Sequence, residues 1–194
     1  DYGRSRGLGD VYKRQIHFRM KLLSYKFFLV VIYLISTVIS FSDEPNIKNL
    51  VIHKQNKKLK NITFLDVDNK PINLNEFTGQ LVIINFWATW CAPCKEEMPS
   101  LDNLKNLKAF ENLKILPIHV GQEDIQKSKI FFDDLKIKNL ELYFDNSIKL
   151  AKTFTLRGLP TTVIINKEGD EFARIIGSID FGDENFIKWL SKFN

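Results

Sequence analysis

A Cys-X-X-Cys pair closely follows a continuous apolar segment, and this combination limits the folds that the chain can adopt. The run Leu81–Phe86 is rich in Val and Ile and predicts a strand that is buried on both faces. The sequence Trp90-Cys91-Ala92-Pro93-Cys94 comes next, and from Pro93 onward the apolar residues recur at helical spacing. The cysteines therefore mark the passage from a buried strand to a helix, which predicts an α/β fold.

The rest of the chain alternates strand and helix signals. Strands are predicted over Ile62–Val67, Pro71–Leu74, Leu81–Phe86, Ile115–Val120, Leu142–Phe144, Thr161–Ile165 and Phe172–Ile176. Helices are predicted from Pro93 to Leu107, with a kink at Pro99, and over Ile125–Leu135, Ser147–Phe154 and Asp183–Phe193. This order predicts a three-layer α/β sandwich with a mixed central sheet, extended on its N-terminal side by the hairpin of the first two strands.

Residues 1–19 fit neither a targeting signal nor a folded element. The run Asp10–Gln15 resembles the translation of a sequencing-library adapter. Residues 1–19 are therefore interpreted as a non-native leader, with Met20 as the native start.

Residues 20–42 have the layout of a secretory signal. A basic start is followed by an apolar run over 27–41 and by small residues ahead of Asp43. The run is shorter than the roughly 18 residues of a membrane-spanning helix, which favours cleavage after Ser42 over retention as an anchor in the cytoplasmic membrane. Both outcomes predict a periplasmic or otherwise extracytoplasmic location.

The positive charge of the chain comes from its N-terminal part. Residues 1–42 contain seven of the 28 Lys and Arg and two of the 23 Asp and Glu, so the remainder has 21 of each sign and no net charge. A neutral domain gives no reason to expect a nucleic-acid partner. Residues 43–60 are polar and Lys-rich, and predict a solvated linker ahead of a single domain over 61–194.

Cys91 and Cys94 are the only cysteines, and they lie too close together to join distant parts of the fold. Their position predicts reactivity instead. Cys91 lies at a helix N-terminus, where unpaired backbone N–H groups stabilise a thiolate, and Cys94 falls on the same helical face one turn later. Pro93 costs no helical hydrogen bond in the first turn and stiffens the ring that the pair would close.

A zinc site is the main alternative for the cysteine pair. Zinc needs two further ligands, and His53 and His119 are the only histidines of residues 43–194. His119 lies in an apolar strand, where a structural histidine is the simpler interpretation. We therefore expect neither a metal nor another cofactor.

Two segments together resemble the signature segments of the TlpA/ResA-like branch of the thioredoxin superfamily. They are Asn85-Phe-Trp-Ala-Thr-Trp-Cys-Ala-Pro-Cys-Lys-Glu-Glu-Met-Pro99 and Gly158-Leu-Pro-Thr-Thr-Val-Ile-Ile-Asn166. The likeness extends from about Ile62 to the C-terminus. It implies a thioredoxin-like fold and thiol-disulfide oxidoreductase activity, with Cys91 as the attacking thiol.

The resemblance also implies roles for residues around the cysteines. Pro160 would follow a cis peptide bond and face the pair, leaving the backbone of Leu159 free to pair with an extended substrate segment. Trp90 would shield the reactive sulfur. Phe86 and Trp87 are interpreted as residues of the core.

The base for the inner thiol is an open question in the sequence. Asn85 stands where cytosolic thioredoxins have a buried aspartate that helps to move this proton, so the base must come from elsewhere. In ResA-like proteins a glutamate after the next strand lies near the cysteines, and Glu123 matches it to within one residue. The alternative is that Glu123 and Asp124 only cap the helix that follows.

The predicted function is reduction of disulfides in substrate proteins, of the cytochrome c or copper-site maturation type by the resemblance. Cys91 would attack, Cys94 would resolve the mixed disulfide, and a membrane thiol transporter would re-reduce the protein, which we expect to be a monomer. One alternative is a thiol-based metal or haem-pathway chaperone without turnover. Another is a peroxide-reducing relative, whose threonine- and proline-lined cysteine pocket is missing from the sequence.

Overall fold

The computed structural model describes residue 21, residues 24–33 and residues 47–194. The chain divides into two compact units, Asp1–Glu44 and Pro45–Asn194, and in the first unit residues 24–33 are helical. Within the described part of the chain, no helix combines the length and the apolar character needed to cross a bilayer. The predicted leader over 1–19, the end of the apolar run and the cleavage position after Ser42 lie outside the described residues.

The second unit is organised around one mixed sheet of eight strands. In chain order the strands are β1 (Leu50–Lys58), β2 (Thr63–Leu65), β3 (Pro71–Asn73), β4 (Val82–Trp87), β5 (Lys114–Val120), β6 (Tyr143–Asp145), β7 (Thr161–Ile165) and β8 (Asp170–Ile176). Their order across the sheet is β1-β8-β7-β4-β5-β6-β2-β3. β4, β5 and β6 are parallel to one another, and the remaining neighbours are antiparallel.

Helices lie on both faces of this sheet. The α-helices of the second unit are α1 (Ala92–Lys105), α2 (Ile125–Asp134), α3 (Lys149–Thr153) and α4 (Glu184–Leu190). Short 3-10 helices span Leu74–Phe77, Lys108–Phe110 and Ser191–Phe193.

The central strand β4 is buried on both faces because its side chains alternate between two apolar clusters. Ile83 and Trp87 pack in one cluster with residues of α1, α2 and α4. Ile84 and Phe86 pack in the other with residues of β5, β7 and α3. The sheet is therefore covered on both sides, which confirms the predicted three-layer α/β sandwich with a mixed sheet.

Every predicted strand is present, with ends shifted by at most two residues. The helices are shorter than predicted, and α1 ends at Lys105, so that Leu107 lies outside it and is partly exposed. The β2–β3 hairpin lies at one edge of the sheet, as expected from its turn sequence.

The other edge of the sheet corrects the sequence interpretation. The linker predicted over 43–60 is wrong for Leu50–Lys58, because these residues form β1 and pair antiparallel with β8. Most of the β1 side chains are exposed, so the strand lacks the apolar alternation that would have identified it. Its pairing with β8 is reinforced by the ion pair of Lys58 with Asp170, at 2.6 Å.

Candidate active site

The two cysteines lie where β4 passes into α1, and they form a disulfide with an S–S distance of 2.04 Å. Cys91 is the N-cap residue of α1, and its Sγ accepts the backbone N–H of Cys94 at 3.3 Å. Cys91 is 4% exposed and Cys94 is fully buried. The sulfur of Cys91 therefore lies at the positive end of the helix dipole and nearer to solvent, where a thiolate is stabilised and can be reached.

The aromatic residues before the cysteines have distinct environments. Phe86 and Trp87 are fully buried, which confirms that they belong to the core. Trp90 is 75% exposed, although its neighbour Cys91 is almost completely covered. The shielding role of Trp90 stays a prediction. An exposed indole beside the reactive sulfur also provides an apolar surface that a substrate could contact.

The loop before β7 has the conformation that the resemblance implied. The Leu159–Pro160 peptide bond is cis, and Leu159 packs against the buried cluster that contains both cysteines. The carbonyl of Pro160 accepts the N–H of Gly177 at 3.0 Å. Within the described residues, neither backbone polar group of Leu159 has a hydrogen-bond partner, so both are available to a ligand.

A buried acid lies behind the cysteines and was missed in the sequence. Glu97 is on α1, three residues after Cys94, and is only 2% exposed. Its Oε1 accepts the amide Nδ2 of Asn85 at 2.8 Å, and its Oε2 accepts the backbone N–H of Ile179 at 3.3 Å. Burial raises the pKa of Glu97 to about 7, although these two hydrogen bonds oppose the increase. A carboxyl group with this pKa can take up and release a proton at neutral pH.

Asn85 can serve both protonation states of this acid. Its Nδ2 donates to Glu97 and also to Thr162 Oγ1 at 3.0 Å, whereas its Oδ1 is buried without a partner among the described residues. The amide nitrogen suits the carboxylate form of Glu97. After rotation of the amide, the oxygen would accept from the carboxylic acid form. Asn85 can thus form a hydrogen bond with Glu97 in either protonation state.

Glu123 does not cap the helix that follows it. Asp124 is the N-cap of α2 and accepts the N–H of Gln126 at 2.9 Å, so the capping alternative is right for Asp124 and wrong for Glu123. Glu123 Oε1 accepts the hydroxyl of Thr89 at 2.7 Å. Thr89 is two residues before Cys91, so this hydrogen bond links the loop that precedes the cysteines to the residues that follow β5.

His119 is buried next to Glu123. It is 2% exposed and lies against the rings of Trp87 and Phe144, with centroid distances of 5.1 and 6.1 Å. Its Nε2 approaches Glu123 Oε2 to 3.0 Å without the alignment of a hydrogen bond. Burial lowers the pKa of His119, while Glu123 acts in the opposite direction. In the part of the chain that the structure describes, no group of three or more His, Cys, Asp and Glu side chains could hold a metal ion.

The sequence matches the model of the AhpC/TSA family over residues 55–170, which is more than half of the chain. The chain belongs to the AhpC/TSA family. It is 31% identical to the thiol-disulfide oxidoreductase ResA of Bacillus cereus over 122 residues, which cover 62% of this chain and 69% of the relative. It is also 31% identical to ResA of Bacillus subtilis over 119 residues, which cover 61% of this chain and 65% of that protein. This AhpC/TSA member is therefore a thiol-disulfide oxidoreductase, and the similarity to ResA is confirmed.

Solved structures support the same fold. A secreted thiol-disulfide isomerase from Corynebacterium glutamicum superposes with a TM-score of 0.63 at 22% identity, covering 77% of this chain and 95% of that one. The pneumococcal exposed lipoprotein thioredoxin from Streptococcus pneumoniae has a TM-score of 0.58 at 26% identity, with 69% and 99% covered. The AhpC/TSA chain thus has the thioredoxin-like architecture that its sequence predicted.

A signal for Glu97 was present in the sequence. It stands between Cys94 and Leu101 at helical spacings, on the apolar stripe of α1 that faces the sheet. An acidic residue on such a stripe is uncommon unless it is paired or functional. In this AhpC/TSA protein the buried glutamate of α1 is therefore a stronger candidate for the proton carrier than Glu123, whose carboxylate is held by the loop.

Proposed function

We propose that the chain is a reductase, which transfers two electrons from the Cys91–Cys94 dithiol to disulfides of substrate proteins. The observation that carries the proposal is the placement of Cys91 as the N-cap of α1 with Cys94 buried directly behind it. The Cys91 thiolate attacks one sulfur of the substrate disulfide and forms a mixed disulfide, and the other substrate sulfur leaves as a thiolate that takes up a proton.

The second step returns the oxidised form seen in the structure. Cys94 gives up its proton and its thiolate attacks the Sγ of Cys91, which releases the second substrate thiolate and closes the Cys91–Cys94 disulfide. In the proposed mechanism Glu97 accepts this proton, because it is buried about one helical turn after Cys94 and has a pKa of about 7. A dithiol donor, which we take to be a membrane thiol transporter, restores both thiols.

The free backbone of Leu159 supports a defined place for the substrate. An extended segment carrying the disulfide would pair with its N–H and C=O, as a strand added beside the cis Pro160. The exposed ring of Trp90 would cover the other side of that segment. Main-chain pairing accepts many sequences, so it fits an enzyme that acts on proteins.

The location and the substrate class are part of the proposal. The apolar run over 27–41 and the relatives described as secreted or as an exposed lipoprotein favour an extracytoplasmic setting. For the substrate we propose the class that the resemblance of the two signature segments implied, proteins of the cytochrome c or copper-site maturation type. We expect the protein to act as a monomer, because each step above uses residues of one chain.

Trapping tests both the mechanism and the substrate. In a Cys94→Ser variant, Cys91 can form the mixed disulfide but nothing resolves it, so a substrate protein should stay attached until a reductant is added. A matched Cys91→Ser variant should capture nothing. Equal capture by the two variants would contradict the assignment of Cys91 as the attacking thiol.

The redox state of the wild-type protein in its own compartment tests the direction of transfer. A reductase is kept as the dithiol by its donor and accumulates as the disulfide when the donor is deleted. Accumulation of the dithiol on deletion would instead indicate an oxidase. Stoichiometric metal or haem binding without turnover would support the chaperone alternative, and consumption of hydrogen peroxide would support the peroxidase alternative.

A further inference from the structure

A half-enclosed groove of about 770 Å³ lies away from α1, against β1, β8 and the loop after α3. Its lining is rich in cationic side chains and also includes Thr161, the residue after the cis proline. The cationic residues are Lys57, Lys58, Lys60, Arg157 and Arg174. We call this feature the basic groove.

The floor of the basic groove is a fixed network around one buried carboxylate. Glu171 accepts two hydrogen bonds from the guanidinium of Arg174, at 2.6 and 2.9 Å, and lies 2.6 Å from His53 Nε2. Burial acts to raise the pKa of Glu171, but the hydrogen bonds from Arg174 and His53 outweigh it and hold the pKa below its usual value. Arg174 also donates to the carbonyl of Phe154 at 3.1 Å, which ties the loop after α3 to the floor.

The walls carry cations that this network does not neutralise. Lys57 lies 3.8 Å from the already paired Glu171, and Lys58 pairs with Asp170. Within the described residues, Lys60 and Arg157 have no ion pair or side-chain hydrogen bond. The groove is thus lined by five cations, against which the structure sets two carboxylates, Glu171 in the lining and Asp170 beside Lys58. Residues 43–194 as a whole carry no net charge, so the positive charge is concentrated in this groove.

We propose that the basic groove binds an acidic segment of the substrate protein next to its disulfide. This deepens the proposed function and rests on it. Thr161 lines the groove and directly follows Pro160, so the groove begins two residues along the chain from the free backbone of Leu159. Unpaired Lys60 and Arg157 supply the complementary charge, and the floor cannot compete for it because Arg174 already satisfies Glu171.

Charge-reversal variants test the basic groove independently of the chemistry at the cysteines. The probe is a pair of disulfide-bridged peptides that differ only in carrying four Glu or four Gln on one side of the bridge. A double variant, Lys60→Glu with Arg157→Glu, should raise the KM for the Glu peptide about tenfold and leave kcat and the Gln peptide unchanged. The difference in KM for the Glu peptide between wild type and this variant should disappear in 1 M salt, where the screening length falls to about 3 Å.

A matched control makes the same change in net charge elsewhere. Lys188→Glu with Lys192→Glu, on and after α4 across the sheet, should leave both peptides unaffected. An equal loss with the two double variants, or an equal loss for the two peptides, would overturn the proposal. Binding of inorganic phosphate that protects against unfolding, without any preference for the Glu peptide, would overturn it in favour of a small anion.

Peptide binding is measured separately by fluorescence anisotropy on the oxidised protein, which cannot turn over. If wild-type protein failed to reduce the Gln peptide, the proposed reductase function would be rejected, whatever the groove binds. The anisotropy titration would still report whether Lys60 and Arg157 select the acidic peptide, so the two failures are distinguishable.

Discussion

The buried Glu97 should make the folded protein less stable as the pH rises, and Glu97→Gln should remove that dependence. The pKa of Glu97 is raised from 4.5 to about 7 in the folded state, chiefly by burial. Below pH 4.5 the group is protonated in both the folded and the unfolded states. Between pH 4.5 and about pH 7, Glu97 is ionised in the unfolded chain but still protonated in the folded protein, so the free energy of unfolding falls as the pH rises. Above about pH 7 Glu97 is ionised in both states, and the free energy of unfolding falls no further on its account.

The size of the effect follows from the same interval. At about 1.4 kcal/mol per pH unit, the range from 4.5 to about 7 corresponds to a loss of about 3 kcal/mol by pH 8. Gln at position 97 cannot ionise, but its amide would face the N–H of Ile179 and lose one hydrogen bond worth about 1 kcal/mol. The variant should therefore be more stable than wild type by about 2 kcal/mol at pH 8 and less stable by about 1 kcal/mol at pH 4.5.

Urea unfolding of the oxidised proteins at several pH values measures this difference directly. The control is Glu96→Gln, an exposed neighbour on the same helix, which leaves Glu97 in place and should keep the fall in stability as the pH rises. Disulfide reduction by the Glu97→Gln protein should be slowed and lose its inflection near pH 7, although the fold is more stable. Parallel stability curves for wild type and Glu97→Gln would refute the assignment of a raised pKa to Glu97.

Other perturbations probe the fold around the site. Asp102→Ala should destabilise the protein by about 2 kcal/mol in urea, since the buried carboxylate accepts the backbone N–H and the side-chain amide of Asn139. Leu101→Ala should cost about 3 kcal/mol by the same measurement, because this fully buried side chain would leave a cavity. Thr89→Val should remove the hydrogen bond to Glu123, cost about 1 kcal/mol and lower the exchange rate, whereas Thr89→Ser should restore both.

The sequence predicted the central strands of the sheet well because they are strongly apolar. β4 is buried on both faces, and the pattern of its residues reflects this burial in the sequence itself. β1 could not be recognised in that way, since it is held by pairing with β8 and exposes most of its side chains. Its strand character arises from a partner that is more than a hundred residues away in the chain, which local propensity does not report.

The redox site was similarly predictable only in part. The position of Cys91 at a helix start follows from local sequence, and the structure places it there. The choice between Glu97 and Glu123 depended on which carboxyl group the packing encloses. Glu97 contacts Asn85 and Ile179, whereas Glu123 contacts Thr89. The place of Glu97 on the apolar stripe of α1 indicated its burial, but the sequence near each glutamate does not identify these partners.

The edge strand β1 has a practical consequence for anyone who produces this domain. A shortened chain that starts at residue 61, where the sequence alone would place the boundary, would strip β8 of its outer neighbour. The N–H and C=O groups of β8 that now face β1 would become an open template, and strands from other copies could add to it. Preparations that begin ahead of Leu50 keep β8 paired and present β1 as the edge instead, whose three lysines disfavour pairing with another strand. They should stay monomeric at concentrations where the shorter chain self-associates.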